Sequence, residues 1–196
     1  MIKMHLLPIT GVNKQIIEHF SCLLSEYKAQ QEKLRRDHEK INHFLTEEAY
    51  MHHIHQLIRT YLLLNDKKNK VIGFFSLYNE EILISNKLMK RFKYKKFIIY
   101  KPKDNDIFPA IRLHQFAIDN QYQGKMVKGM KYSDILIGYV FEMVREVAEK
   151  SGCMFIGLEA TENSISFYES YDFIIMKKKS ENVLPFLIFK VANLID

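Results

Sequence analysis

Two glycines with lysines beside them stand between an apolar run and a long periodic segment. Gly124 is followed by Lys125, and Gly129 is preceded by Lys128. Leu113 to Ile118 is mostly apolar and bounded by polar residues, which suits a buried strand. Beyond the glycines, Ile135, Leu136, Tyr139, Val140, Met143, Val144, Val147 and Ala148 recur at helical spacing. Strand, loop and helix in that order can hold an anion. The first amides of a helix lack internal partners, and the helix dipole adds positive charge there. A glycine lets the main chain approach a ligand closely. A pyrophosphate fits such a place, with Lys125 and Lys128 at its rim. Taken alone, the loop reads equally as an ordinary connection with glycines at its turns.

A second group of residues lies about forty positions further on. Asn163-Ser164-Ile165-Ser166-Phe167-Tyr168-Glu169-Ser170-Tyr171-Asp172-Phe173 places a tyrosine on a short helix. A phenol is protonated at neutral pH and can donate. Packing under the helix is the plainer role for it.

The two stretches together resemble the GCN5-related N-acetyltransferases, the GNAT superfamily, over about Val71 to Phe173. That family's loop reads Gln/Arg-x-x-Gly-x-Gly/Ala after a strand. Gln121-Tyr122-Gln123-Gly124-Lys125-Met126 matches its first four positions and fails at the last. An insertion of Met126-Val127-Lys128, with Gly129 as the second glycine, repairs the match. The later stretch resembles the family's Phe-Tyr-x-x-x-Gly-Phe signature, with Asp172 where glycine is usual. Within the superfamily the chain is similar to the bacterial branch that includes the tRNA-acetylating toxins. Gly73-Phe74-Phe75-Ser76-Leu77, Pro109-Ala110-Ile111-Arg112-Leu113 and Phe116-Ala117-Ile118-Asp119 are among the marks.

The resemblance implies an α/β (α+β) fold with a mixed, mainly antiparallel sheet. Helices flank the sheet, and a V-shaped splay opens beside Phe116–Ile118. It implies one N-acetyltransferase domain over 1–196, with an N-terminal strand and helices to 58 and an acetyl-CoA-binding core from 59. It implies acetyl-CoA as co-substrate, a primary amine as acceptor, and no metal. The cofactor would meet Phe116, Ala117, Ile118, Gln123, Gly124, Lys125, Gly129, Met130, Asn163 and Tyr168. Main-chain groups of Phe116 and Ile118 would bond the pantetheine as an added strand does. Tyr168 is the expected general acid toward sulfur. Glu159 and His114 are the candidate bases, and His114 has the better intrinsic pKa.

Composition bounds the partners. The chain has 196 residues, 47% of them hydrophobic, enough for a sizeable core. A net charge of +6 favours acidic partners such as coenzyme A or nucleic acid. Asn86 to Lys103 carries eight cations and no carboxylate, interleaved with Phe92, Tyr94, Phe97 and Tyr100. Such a segment suits phosphate contacts and base stacking, or simply buries its rings and solvates its lysines. Lys87–Lys103 is thus the candidate tRNA surface. Transfer to aminoacyl-tRNA stands beside transfer to another amine, and a GNAT-like binding module without catalysis is the third alternative. A homodimer stays open. Cys22 and Cys153 read as buried thiols, and a cytoplasmic location is expected. No stretch is apolar enough for a membrane helix.

Around these residues the expected elements follow from pattern. Ile2 to Leu7 is a strand, and Asn13 to about Arg36 a helix whose polar second half, Lys28 to Lys40, is a solvated extension or an exposed loop. Thr46 is an N-cap for a helix to about Ile58. Its His52, His53 and His55 read as surface residues rather than ligands, since their spacing lacks a same-face i, i+4 pair. Thr60–Leu64 and Val71–Tyr78 form a hairpin. Met154–Leu158 is a core strand, with Asn163 a possible helix cap, and two closing strands follow.

Overall fold

The computed structural model describes residues 3–28, 31–84, 106–177 and 183–195. The basic segment 86–103 lies outside the described residues. Among the described residues nine strands form two sheets: β1 (His5–Pro8), β2 (Arg59–Leu64), β3 (Val71–Ile84), β4 (Asp106–Ile118), β5 (Met126–Val127), β6 (Met130–Lys131), β7 (Phe155–Glu159), β8 (Ile174–Lys177) and β9 (Phe186–Lys190). The larger has the order β1-β2-β3-β4-β7-β9-β8, and β5 pairs with β6. The described pairings in the larger sheet are antiparallel.

Asn65 sets the first hairpin. β2 (Arg59–Leu64) and β3 (Val71–Ile84) pair with Tyr61 opposite Phe75 and Leu62 opposite Phe74. In the turn, Asn65 Oδ1 accepts from the amides of Asn69 at 3.0 Å and Lys70 at 3.2 Å. Lys68 takes the left-handed conformation, φ +54°, that the turn demands. Residues 71–77 are all buried and, but for Ser76, apolar, so this half of β3 is covered on both faces. β1 (His5–Pro8) lies antiparallel to β2 at the sheet edge.

The chain divides into two compact units. One comprises Met1–Tyr78 and Leu113–Met143, the other Asn79–Arg112 and Val144–Asp196. The first unit's core gathers Ile9, Ile17, Leu45, Leu62, Phe20 and Phe74, the last two edge to face at 5.3 Å. In the second, Ile82, Ile84, Phe108, Phe155 and Ile188 pack together. Strands β3 and β4 (Asp106–Ile118) run through both, as does α4 (Tyr132–Ser151). Gly152, at φ +39°, closes α4. Leu136, Ile137, Val140 and Val144 are its buried positions.

The N-terminal helices differ from expectation. α1 is only Lys14–Ile17, capped by the Asn13 side chain. Amides beyond it are claimed elsewhere in the first unit. Ser21 N–H donates to Asp119 Oδ2 at 3.1 Å and Cys22 N–H to Asn42 Oδ1 at 2.9 Å. They cannot also close helical turns. The polar stretch read as a solvated extension is instead α2, Glu32–His43, which buries Leu34 and His38 one turn apart. Through a wide π turn at Phe44–Glu48 it continues into α3, Ala49–Ile54. Thr46 therefore caps nothing; its hydroxyl donates back to the carbonyls of Asn42 and His43. His53 is no surface residue either. It is 5% exposed and accepts from the Thr60 amide.

In the second unit, β7 (Phe155–Glu159) pairs with β9 (Phe186–Lys190), which pairs in turn with β8 (Ile174–Lys177). A short helix, α5 (Ile165–Glu169), follows β7.

Candidate active site

In the first unit, β4 ends at Ile118 and the glycine loop begins. Asp119 fixes its path. The residue is 4% exposed, and its carboxylate accepts from the amides of Ser21 and, at 3.0 Å, Gln121. The first turn closes on itself. Amides of Tyr122 and Gln123 donate to Asp119 O, and that of Lys125 to Tyr122 O. The Gln123 side chain is also spent internally, donating to Cys22 O and Ile118 O, each at 3.0 Å. Gln123 thus anchors the loop to the end of β4 through its side chain.

The departure from the expected motif becomes a hairpin. β5 (Met126–Val127) and β6 (Met130–Lys131) pair, with Lys128 at φ +50° and Gly129 at φ +80° between them. Two successive positive φ angles are the mark of a type I′ turn. Gly129 therefore serves the hairpin tip. Gly124, at φ +70°, is the glycine in the first turn, and a Cβ placed on it meets no atom within 4 Å. Open space at a left-handed glycine, with Lys125 and Lys128 exposed nearby in sequence, fits a phosphate group. The Tyr122 ring meets Tyr132 at 5.2 Å, joining the loop to the first residue of α4. Asp134 in the first turn of α4 accepts from Lys131 N–H at 3.2 Å.

His114 lies on β4 in this same unit. Its ring sits 4.9 Å from Phe44 and 5.8 Å from Tyr78, both edge contacts. Of the three strand residues expected to meet pantetheine, Ala117 and Ile118 have buried side chains and Phe116 is half-buried.

In the second unit, Tyr168 is on α5 and 5% exposed. Phe167 and Phe173 meet its ring at 5.2 and 5.5 Å. Burial pushes its phenol far above the ordinary value, so the hydroxyl keeps its proton. Asp172 adopts φ +64°. That is why glycine is usual at this position in the resembled signature, and aspartate is among the few residues that tolerate it. Asn163 does not cap α5; its side chain accepts from the Thr161 hydroxyl at 2.8 Å.

Sequence reading missed one constellation there. Arg112 on β4 reaches Glu159 Oε1 at 2.9 Å through Nη2 and Glu80 Oε2 at 3.5 Å through Nη1. Its guanidinium lies 4.6 Å over the Phe186 ring. A signal was available: Arg112 stands between Ile111 and Leu113 within β4, where an unpaired charge is costly. Burial pushes the Glu80 carboxyl up, and Arg112 opposes that. Among the described residues no group of three His, Cys, Asp or Glu could hold a metal ion. No helix among them is long and apolar enough to cross a membrane.

No family model and no curated protein sequence matches the chain. Solved structures do. A tyrosine-to-phenylalanine mutant of the AtaT toxin is 20% identical, with a TM-score of 0.70 over 98% of this chain and 92% of that one. AtaT complexed with acetyl-methionyl-tRNAfMet is 22% identical, with a TM-score of 0.68 over 98% of each chain. AtaTR bound with acetyl-CoA is likewise 22% identical, with a TM-score of 0.68 over 98% of this chain and 96% of that one. Strand order and this full-length likeness together give the chain the GNAT fold, shared with these toxins.

Proposed function

We propose that the chain is an acetyl-CoA-dependent N-acetyltransferase whose acceptor is the amino group of an aminoacyl-tRNA. The observation that carries the acceptor is the likeness, over 98% of both chains, to a toxin complexed with acetyl-methionyl-tRNAfMet. The net charge of +6 agrees with a polyanionic partner. Segment 87–103 is the proposed RNA contact. By the same likeness, a protein antitoxin is the proposed partner, since AtaT is also solved with the C-terminus of its antitoxin AtaR.

Roles follow from the chemistry of acyl transfer. Gly124 leaves room for the pyrophosphate, and Lys125 and Lys128 offset its charge. Gly129 and Met130 shape the hairpin beside it. The main chain of Phe116 to Ile118 holds the pantetheine arm. Tyr168 gives its proton to the departing thiolate; burial keeps that proton in place until the sulfur needs it. We assign the base to Glu159. Its side chain is 48% exposed, within reach of a solute, whereas the half-buried His114 ring packs edge-on to Phe44 and Tyr78. Asn163 is assigned to the turn before α5.

A thiol-release assay tests the reading. Purified protein with acetyl-CoA should release coenzyme A thiol when a charged tRNA pool is added, and not with the same pool stripped of its amino acids. Equal release with both pools, or with free amines alone, would move the acceptor to a small or protein amine.

A further inference from the structure

We propose that Arg112 is the positioning residue for Glu159, holding one carboxylate oxygen so that the other receives the proton of the acceptor amine. The inference rests on the acetyltransferase reading above and deepens it.

Geometry supports a built device rather than a chance ion pair. Arg112 is itself fixed on three sides. Its side chain is 14% exposed, Phe186 supports the guanidinium face, and Glu80 takes the second nitrogen. A planar guanidinium can serve two carboxylates at once, which a lysine cannot do in the same way. The space around the cluster is filled. A Cβ added to Gly157 of β7 would lie 2.5 Å from Glu80 Oε1 and 2.8 Å from the Phe186 ring. Glycine at 157 therefore makes room for the support under Arg112.

Glu159 differs from Glu80 in one respect. Both touch Arg112, but the Glu80 side chain is 17% exposed and Glu159 is 48% exposed. Glu159 Oε1 is committed to Arg112; Oε2 has no partner among the described residues. A carboxylate pinned by one oxygen presents the other in a single direction. In the transfer step the amine nitrogen forms the bond to the acetyl carbon and the carbon–sulfur bond breaks. The nitrogen's proton passes to Glu159 Oε2, and the thiolate takes the Tyr168 proton. The products are an amide and free coenzyme A, with both groups recharged by solvent.

The charges facing Glu159 have opposite signs. Arg112 comes from β4 and Glu80 from β3, while the residue packed on Arg112 from β9 is the uncharged Phe186. Removing Arg112 leaves the Glu159 carboxylate free to turn, because nothing else in the cluster holds its Oε1.

The test compares wild type, Arg112→Gln, Glu159→Gln and the double variant in acetyl transfer from acetyl-CoA to charged tRNA. Glu159→Gln should lower turnover roughly 10²-fold, the usual scale for a general base. Arg112→Gln should lower it roughly 10- to 10²-fold, because the carboxylate is no longer held in one direction. The double variant should fall no further than Glu159→Gln alone, since Arg112 acts through Glu159. Acetyl-CoA affinity and the circular dichroism spectrum should match wild type in all three. Should Arg112→Gln not fold, Arg112→Lys takes its place in the same comparison. A double variant whose loss is the product of the two single losses, or full activity in Arg112→Gln, overturns the positioning role while wild-type transfer stands. Full activity in Glu159→Gln overturns the proposal outright. No transfer by wild type to any amine would instead overturn the acetyltransferase reading beneath it.

Discussion

Gly73 on β3 passes so close to Ala117 on β4 that a Cβ at 73 would lie 2.8 Å from the Ala117 carbonyl oxygen. The same Cβ would be 2.7 Å from Ile118 Cδ1 and 3.1 Å from Leu136. The carbonyl is backbone and cannot swing aside. Gly73→Ala should therefore destabilise the protein by about 1–3 kcal/mol, the usual scale for overpacking a filled core. Urea unfolding monitored by circular dichroism checks this. An unchanged midpoint would mean that β3 and β4 are not so tightly apposed.

His53 gives the stability a pH dependence of known sign. Burial, then the charge of Arg59, lowers its pKa in the fold. Its Nδ1 accepts from the Thr60 amide at 3.0 Å, and a protonated ring has no lone pair there to do so. The unfolded chain binds the proton more readily. The contribution is therefore complete above the unfolded value of about 6.5 and is lost as pH falls from there through the lowered folded value. Between pH 7.5 and 5.5 the urea midpoint should drop, and His53→Gln should flatten the drop. An equal fall in both proteins would assign it to other groups.

How far the sequence disclosed this fold depended on where each segment's hydrogen bonds go. Strands β2, β3, β7 and β9 and helix α4 were legible because their own apolar period decides their state. The region after α1 was not. Its amides bond to Asp119 and Asn42, partners 98 and 20 residues away, which no local period reveals. Thr46 looked like a cap because Thr precedes two glutamates, yet the helix already ran through it. For the candidate site, the two motifs single out Gly124 and Tyr168 as the residues to test. The hairpin at Lys128–Gly129 was written as an insertion, but its turn geometry needed coordinates. Arg112, Glu80 and Glu159 come from three separate strands or strand ends, and only tertiary pairing brings them together.

Gly124 sits at φ +70° with open space beside it. Gly124→Glu should weaken acetyl-CoA binding at least about tenfold, or ~1.4 kcal/mol, by placing a negative charge against the pyrophosphate. Gly124→Ala is the control for backbone strain and should lose less. Calorimetry reads both. Unchanged affinity in the glutamate variant would place the phosphates elsewhere.

Tyr168→Phe removes the hydroxyl but keeps the ring contacts with Phe167 and Phe173. Turnover should fall by roughly 10²-fold, within the range for loss of a general acid. Acetyl-CoA affinity and thermal stability should hardly change. Wild-type turnover in this variant would return Tyr168 to a packing role.

The most direct test of the account follows the acetyl group itself. The protein is incubated with labelled acetyl-CoA and a mixed charged tRNA pool, the tRNA is recovered, and its aminoacyl ester is cleaved with base. The account predicts label released as N-acetyl amino acid with wild type and far less with Tyr168→Phe. Label that never enters the tRNA fraction, while acetyl-CoA binds normally, would contradict it.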